Sequence, residues 1–201
     1  MTAKEVFVAN AYEKISSALN DIPVSDRADI YAISFWHDID EDDLRYQRIM
    51  VGYNTLSNFQ SRIKSASSES EAKWNFAFWL QNVLTEVGGV DEPLLSAWFA
   101  ESPYYFSDEE NEASCDDDEL FDELGEKGAQ FEDEFMEEII TVTQRLFREG
   151  VISQVFGRDI PVLIHELEYY DAPAGWTLRA NPPGLADEFL EWVDIDSVDE
   201  A

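Results

Sequence analysis

Apolar residues along the chain fall into patterns that separate helices from strands. Val6, Ala9, Ile15 and Leu19 recur at near-helical spacing, and Asn20-Asp21-Ile22-Pro23 closes the run, which predicts a helix from about Lys4 to Leu19. Asp29 to Trp36 is rich in aromatic and β-branched residues at successive positions, so both faces are apolar, as expected for a central strand. His37 to Asp43 reads as a turn, and Tyr46 to Tyr53 as a second strand antiparallel to the first. A short helix or ordered loop is expected from Asn54 to about Lys64, then a polar loop from Ser65 to Ser70. Lys73 to Leu84 is apolar around most of a helical circumference and predicts a buried helix, capped by Ser70 and terminated by Gly88-Gly89. Glu92 to about Ala100, with Pro93 in the first turn, predicts another helix.

The clearest amphipathic stretch lies beyond Gly128. Phe131, Phe135, Ile139, Val142 and Leu146 form one stripe, with Met136, Ile140 and Phe147 beside it, and Gly150 is the expected stop after Glu149. Val151 to Phe156 is short and apolar. Ile160 to Tyr169 reads as a strand that tolerates Pro161 near its start. Asn181-Pro-Pro-Gly184 is a break, Leu185 to Val193 a last short helix, and Asp194 to Ala201 a fraying tail. Strands cluster and helices cluster rather than alternating. The prediction is one α+β domain over residues 1–201, with a small, mainly antiparallel sheet covered by helices.

Charge changes this picture in one region. The 201 residues include 44 Asp and Glu against 13 Lys and Arg, a net charge of −31. Six Trp, eight Tyr and thirteen Phe argue for a folded chain rather than an acidic disordered one. Direct binding to nucleic acid is excluded as an expectation, since it rests on cationic side chains neutralising phosphates. Adhesion to an anionic membrane fails likewise. No apolar run reaches the length of a membrane helix, and the opening residues lack the basic-then-apolar order of a signal peptide. The expectation is a cytoplasmic protein. The acids concentrate in an insertion at about 107–128, where repulsion predicts an extended, solvated segment.

Two strand segments, Asp29-Ile-Tyr-Ala-Ile-Ser-Phe35 and Met50-Val-Gly-Tyr-Asn-Thr55, resemble the opening of a bacterial domain-of-unknown-function family of polymorphic-toxin immunity proteins. Lys73-Trp74 and Trp79 stand where such proteins carry a Trp-containing helix, and Gly157-Arg158-Asp159-Ile160-Pro-Val-Leu-Ile164 is similar to their late strand. These segments are short and spread between residues 29 and 164. The acidic insertion is not part of the resemblance, which implies a cytoplasmic protein that sequesters a toxin.

Catalytic signatures are weak. Cys115 sits among Glu112, Asp116, Asp117 and Asp118, which disfavours a thiolate, so a pair with His37 or His165 is not expected. Asp38, Asp40 and Asp42 begin like a calcium loop, but Asp43 and Ile49 occupy the positions that need Gly and Glu. Two His and one Cys far apart give no zinc spacing, and no phosphate-binding glycine motif is present. His165 reads as a packed strand residue, and Glu166 with Glu168 as a solvated strand face. The expectation is therefore a non-enzyme without metal or cofactor. What remains is a docking surface for a basic partner. Its expected residues are Tyr104, Tyr105 and Phe106 as anchors, with Asp108, Glu109, Glu110, Glu112, Asp116, Asp117, Asp118, Glu119, Asp122 and Glu123 for electrostatic capture. The expected partner is a cognate toxin with a basic surface. Alternatives are an acidic mimic of nucleic acid that inhibits a DNA-binding enzyme, an unrecognised enzyme, and a housekeeping domain whose acids only solubilise it.

Overall fold

The computed structural model describes residues 1–167 and 172–193. The chain opens with α1 (Ala3–Asn20) and a single turn α2 (Val24–Arg27), followed by β1 (Ile30–Ile39) and β2 (Gln47–Thr55). Then come α3 (Leu56–Arg62), α4 (Glu69–Trp74), β3 (Thr85–Gly88) and α5 (Pro93–Glu101). The acidic region forms α6 (Asp108–Ser114) and the start of α7 (Asp118–Arg148). The chain continues with α8 (Val151–Phe156), β4 (Val162–His165), α9 (Ala172–Ala180) and α10 (Asp187–Val193). The α+β class holds.

The sheet order is β3-β2-β1-β4. β1–β2 and β2–β3 are antiparallel, while β1–β4 is parallel, with Ile33 opposite Val162 and Trp36 opposite His165. Helices cover both faces, which is why β1 is apolar on both. Beyond a bulge between Ile30 and Ala32, its side chains alternate. Ile33 and Phe35 join Val162 and Ile164 in a core beneath α1, α5, α7 and α8, where Phe131, Phe135 and Ile139 are fully buried. Ala32 turns the other way, with Leu163, to a second cluster built on Tyr31, Trp74, Trp79 and Phe189. Tyr31 sits at the centre of this cluster, with Phe59, Trp74 and Trp79 all edge-on to it.

Three expectations are overturned. The Lys73–Leu84 helix does not form. α4 ends at Trp74, with Ser68 rather than Ser70 as its cap, and a 3-10 turn spans Phe76–Phe78. Asn75 causes the break: its side chain accepts from the Ala77 N–H at 2.9 Å and restarts the chain in a new direction. Gly88 and Gly89, at φ 86° and 88°, end β3 instead of a helix. The acidic insertion is helical rather than extended. The last strand is four residues long, shorter than Ile160–Tyr169; Glu168, Tyr169 and the tail from Asp194 lie outside the described residues.

Edge strand β4 is sealed by α9. Thr177 Oγ1 accepts from the Ile164 N–H and donates to the Ile164 carbonyl, both at 2.9 Å. Asn181 Oδ1 accepts from the Val162 N–H at 2.9 Å, and its Nδ2 donates to the Val162 carbonyl at 2.7 Å. Two side chains thus supply the hydrogen bonds of a missing strand, which removes an open edge.

Two helix-interior glycines differ in surroundings, and substitution should separate them. A Cβ on Gly125 meets nothing within 4 Å, whereas one on Gly128 would lie 2.5 Å from Leu44 Cβ. Gly125→Ala is expected to stabilise by about 0.5–1 kcal/mol through helix propensity. Gly128→Ala is expected to destabilise by about 1–3 kcal/mol, because Leu44 and the hairpin tip must move. Denaturant midpoints of the two variants measure the difference.

Candidate functional site

The acidic helices are held by caps and by one arginine. Ser107 Oγ accepts from the Glu110 N–H at 3.2 Å, while Glu110 Oε2 accepts from the Ser107 N–H at 2.8 Å. Asp117 caps α7, accepting from the N–H groups of Glu119 and Leu120, both at 3.2 Å. Asp108, Glu109 and Glu110 fill the first turn of α6, and Asp118 and Glu119 that of α7. Carboxylates there face the positive end of the helix dipole, so these positions favour the charge that otherwise opposes folding. The bond from Ser107 holds the Glu110 carboxyl below its usual range.

Arg45 fixes α6 to the β1–β2 hairpin. Its guanidinium forks onto Asp43, at 2.9 Å from Nε to Oδ1 and 2.6 Å from Nη2 to Oδ2, and reaches Asp108 at 2.6 Å through Nη1. It also lies over the rings of Tyr46 and Phe106, 5.3 and 5.4 Å from their centroids. These partners keep Arg45 firmly charged and lower the Asp43 carboxyl.

The result is an ordered acidic face. Residues 107–126 carry eleven acids and no Lys or Arg. Asp108, Glu109, Glu110, Glu112, Asp116, Asp117, Asp118, Glu119, Asp122 and Glu123 are all exposed. Among these, Asp108 is paired with Arg45, and Glu123 with Lys127 at 2.8 Å. The anchor triplet divides. Tyr105 is exposed and Tyr104 half-buried against the core, but Phe106 is 3% exposed, edge-on to Phe99 and beneath Arg45. Phe106 is therefore a core residue and no contact for a partner. Phe121, which was not expected, is 63% exposed on α7. A groove of about 300 Å³ beside it is lined by Asp42, Asp43, Leu44, Asn111 and Leu124. Only the hydrophobicity of Phe121 within an acidic run pointed to it in the sequence.

The remaining candidates take other roles. Asp38 and Asp40 both pair with Arg48, the latter at 2.8 Å, so they brace the hairpin rather than form a calcium loop. Cys115 is exposed on α6's C-terminal side. His165 is fully buried. Its Nδ1–H donates to the Glu166 carbonyl at 2.8 Å, so Nε2 accepts from Ser34 Oγ at 2.8 Å. Burial pushes its pKa down to about 4. This serine–histidine pair is enclosed beside Phe76, whose ring centroid is 4.7 Å away.

His37 is brought to a different neighbourhood. Its Nδ1 lies 3.1 Å from Glu166 Oε1 and 4.0 Å from Glu132 Oε1, and its Nε2 lies 2.7 Å from Gln47 Oε1. Burial opposes its protonation, but the carboxylates and Gln47 outweigh burial, and its pKa is raised. Burial also raises the Glu132 carboxyl. Sequence spacing did not show this group, since Glu132 lies 95 residues from His37 (132 − 37).

No family model, curated protein or solved structure matches this chain. Among the described residues, no helix is long and apolar enough to cross a membrane.

Proposed function

We propose that this protein is a cytoplasmic immunity protein that binds and occludes a basic toxin through the face formed by α6 and the first turns of α7. The observation that carries the reading is an ordered acidic surface with exposed aromatics: eleven acids between residues 107 and 126, with Tyr105 just before them and Phe121 among them. Caps and Arg45 order the helices that carry these carboxylates before any encounter, so little backbone entropy is lost on binding. Dense negative charge accelerates association with a cationic protein, and desolvated aromatic contacts slow dissociation. A toxin that attacks nucleic acid has a basic cleft, and this face would compete there with phosphate. The resemblance of the two central strands to immunity proteins supports the same reading.

Calorimetric titration against the product of the adjacent gene is the test. Binding is expected at low salt and should weaken steeply as salt rises. The triple variant Asp116→Ser, Asp117→Ser, Asp118→Ser should weaken it at least about tenfold. Serine is itself a good helix cap, so α7 keeps its start. No binding at low salt, or unchanged affinity of the triple variant, refutes the mechanism. Equal affinity for several unrelated basic proteins would instead indicate a general mimic of nucleic acid.

A further inference from the structure

We propose that His37, Glu132 and Glu166 form a binding site for one divalent transition-metal ion, with Zn²⁺ the best match. They come from three elements: His37 from the C-terminal part of β1, Glu166 from just past β4, and Glu132 from α7. One ligand atom from each lies within 4.8 Å of the others.

The decisive feature is the orientation of the imidazole. Gln47 Nε2 donates to the Leu44 carbonyl at 2.8 Å, which fixes the amide so that Gln47 Oε1 faces His37. His37 Nε2 therefore carries a proton and donates to that oxygen at 2.7 Å. A metal-binding histidine is held in this way, with the far ring nitrogen donating to an outer partner. Trp176 meets the ring at 89° and Phe135 lies 6.3 Å from it, so the ring is also fixed sterically. Nδ1 is left aimed at two carboxylates. In the neutral ring its lone pair faces their negative charge, so the arrangement calls for a cation between them.

A proton on Nδ1 serves this need only in part. It bonds Glu166 at 3.1 Å but leaves Glu132 at 4.0 Å, beyond a hydrogen bond. A dication between all three serves both carboxylates and cancels their charge. Metal–ligand distances of roughly 2.0–2.1 Å imply ligand separations of about 3.3 Å in a tetrahedron. The Glu166 distance already fits, whereas the Glu132 carboxylate, 4.0 Å from Nδ1, must move inward to complete the shell, a rotation of a partly exposed side chain. One imidazole with two carboxylates suits zinc better than calcium or magnesium, which prefer all-oxygen shells. His37 and Glu166 also line a cleft with Trp36, Asp38, Asp42 and Leu167, the side from which an ion and a fourth ligand would enter.

The test is calorimetric titration of the full chain with ZnCl₂ in a non-coordinating buffer, with Co²⁺ absorption as a second readout. One saturable site per chain is expected. Glu166→Gln should weaken it at least about tenfold. Glu166 is 43% exposed, so this variant should keep its melting temperature. Cys115→Ser and the triple serine variant of 116–118 should retain the site, and Co²⁺ should show bands of a nitrogen–oxygen shell without a thiolate transition. Absence of saturable binding overturns the proposal. So does weak multisite binding that Glu166→Gln leaves intact, or binding abolished by either control. The docking face is separate, so failure here leaves the proposed function standing.

Discussion

Thr177→Val will destabilise the protein by about 2–5 kcal/mol in chemical denaturation, although the two side chains have nearly the same shape. The hydroxyl serves both polar groups of Ile164, accepting from its N–H and donating to its carbonyl at 2.9 Å each. Both Thr177 and Ile164 are fully buried. Valine leaves an N–H and a carbonyl unpaired, each costing about 1–3 kcal/mol. Asn181→Leu should cost at least as much. It removes both bonds to Val162 and a third, from Nδ2 to the Thr177 carbonyl at 2.8 Å. Thr177→Ser keeps the hydroxyl and should retain most of the stability. A loss below about 1 kcal/mol for Thr177→Val would show that the hydroxyl is not the strand substitute described.

Arg45→Met is expected to cost about 2–3 kcal/mol, with the largest local effect on α6. The apolar stem can be replaced, so stacking on Phe106 survives in part. The charge cannot: Asp43, 16% exposed at its side chain, loses the guanidinium that forks onto it, and Asp108 loses its partner at 2.6 Å. Removing one member of a covered ion pair costs more than the pair contributed, because a desolvated charge remains. Asp43 is also lowered by this contact, so the pair's stabilisation in the native protein is present at neutral pH and lost as pH falls through the carboxyl's titration. Amide exchange should rise in 108–114 well beyond the change in α1 or α8. Uniform acceleration across the chain would mean that Arg45 supports the whole fold rather than the acidic face.

Local signals made several helices and the first two strands legible. α1, α5 and the second half of α7 each have a stripe or a cap, and β1 shows its central position by being apolar on both faces. Lys73–Leu84 misled because Trp74, Phe76 and Trp79 are apolar whatever the backbone does. A helix satisfies such a run as well as a turn that sends each ring to its own contact. β3 and α9 left little trace: one is four residues long, and the telling residues, Thr177 in α9 and Asn181 just past its end, are ordinary polar side chains until β4 is placed beside them. The acidic segment reads as extended because its repulsion is local, whereas the Arg45 that offsets it lies 63 residues from Asp108 (108 − 45) and the caps act only once the helices form. The His37 cluster depends on the parallel pairing of β1 and β4, which no spacing in the sequence encodes.

That pairing also sets an order of events. Ile33 meets Val162 at a separation of 129 positions (162 − 33), so one edge of β1 has no partner until residues 162–165 exist. During synthesis from the N-terminus, β1 and β2 emerge early with that edge open, and loop closure of this length delays its pairing. Until then a nascent chain offers an apolar strand edge to any neighbour. Chains that stop before residue 160 should collect as aggregates or be taken up by chaperones, however complete their helices. The protein's vulnerability is thus temporal, concentrated in the interval between the birth of β1 and the arrival of β4 with α9 behind it.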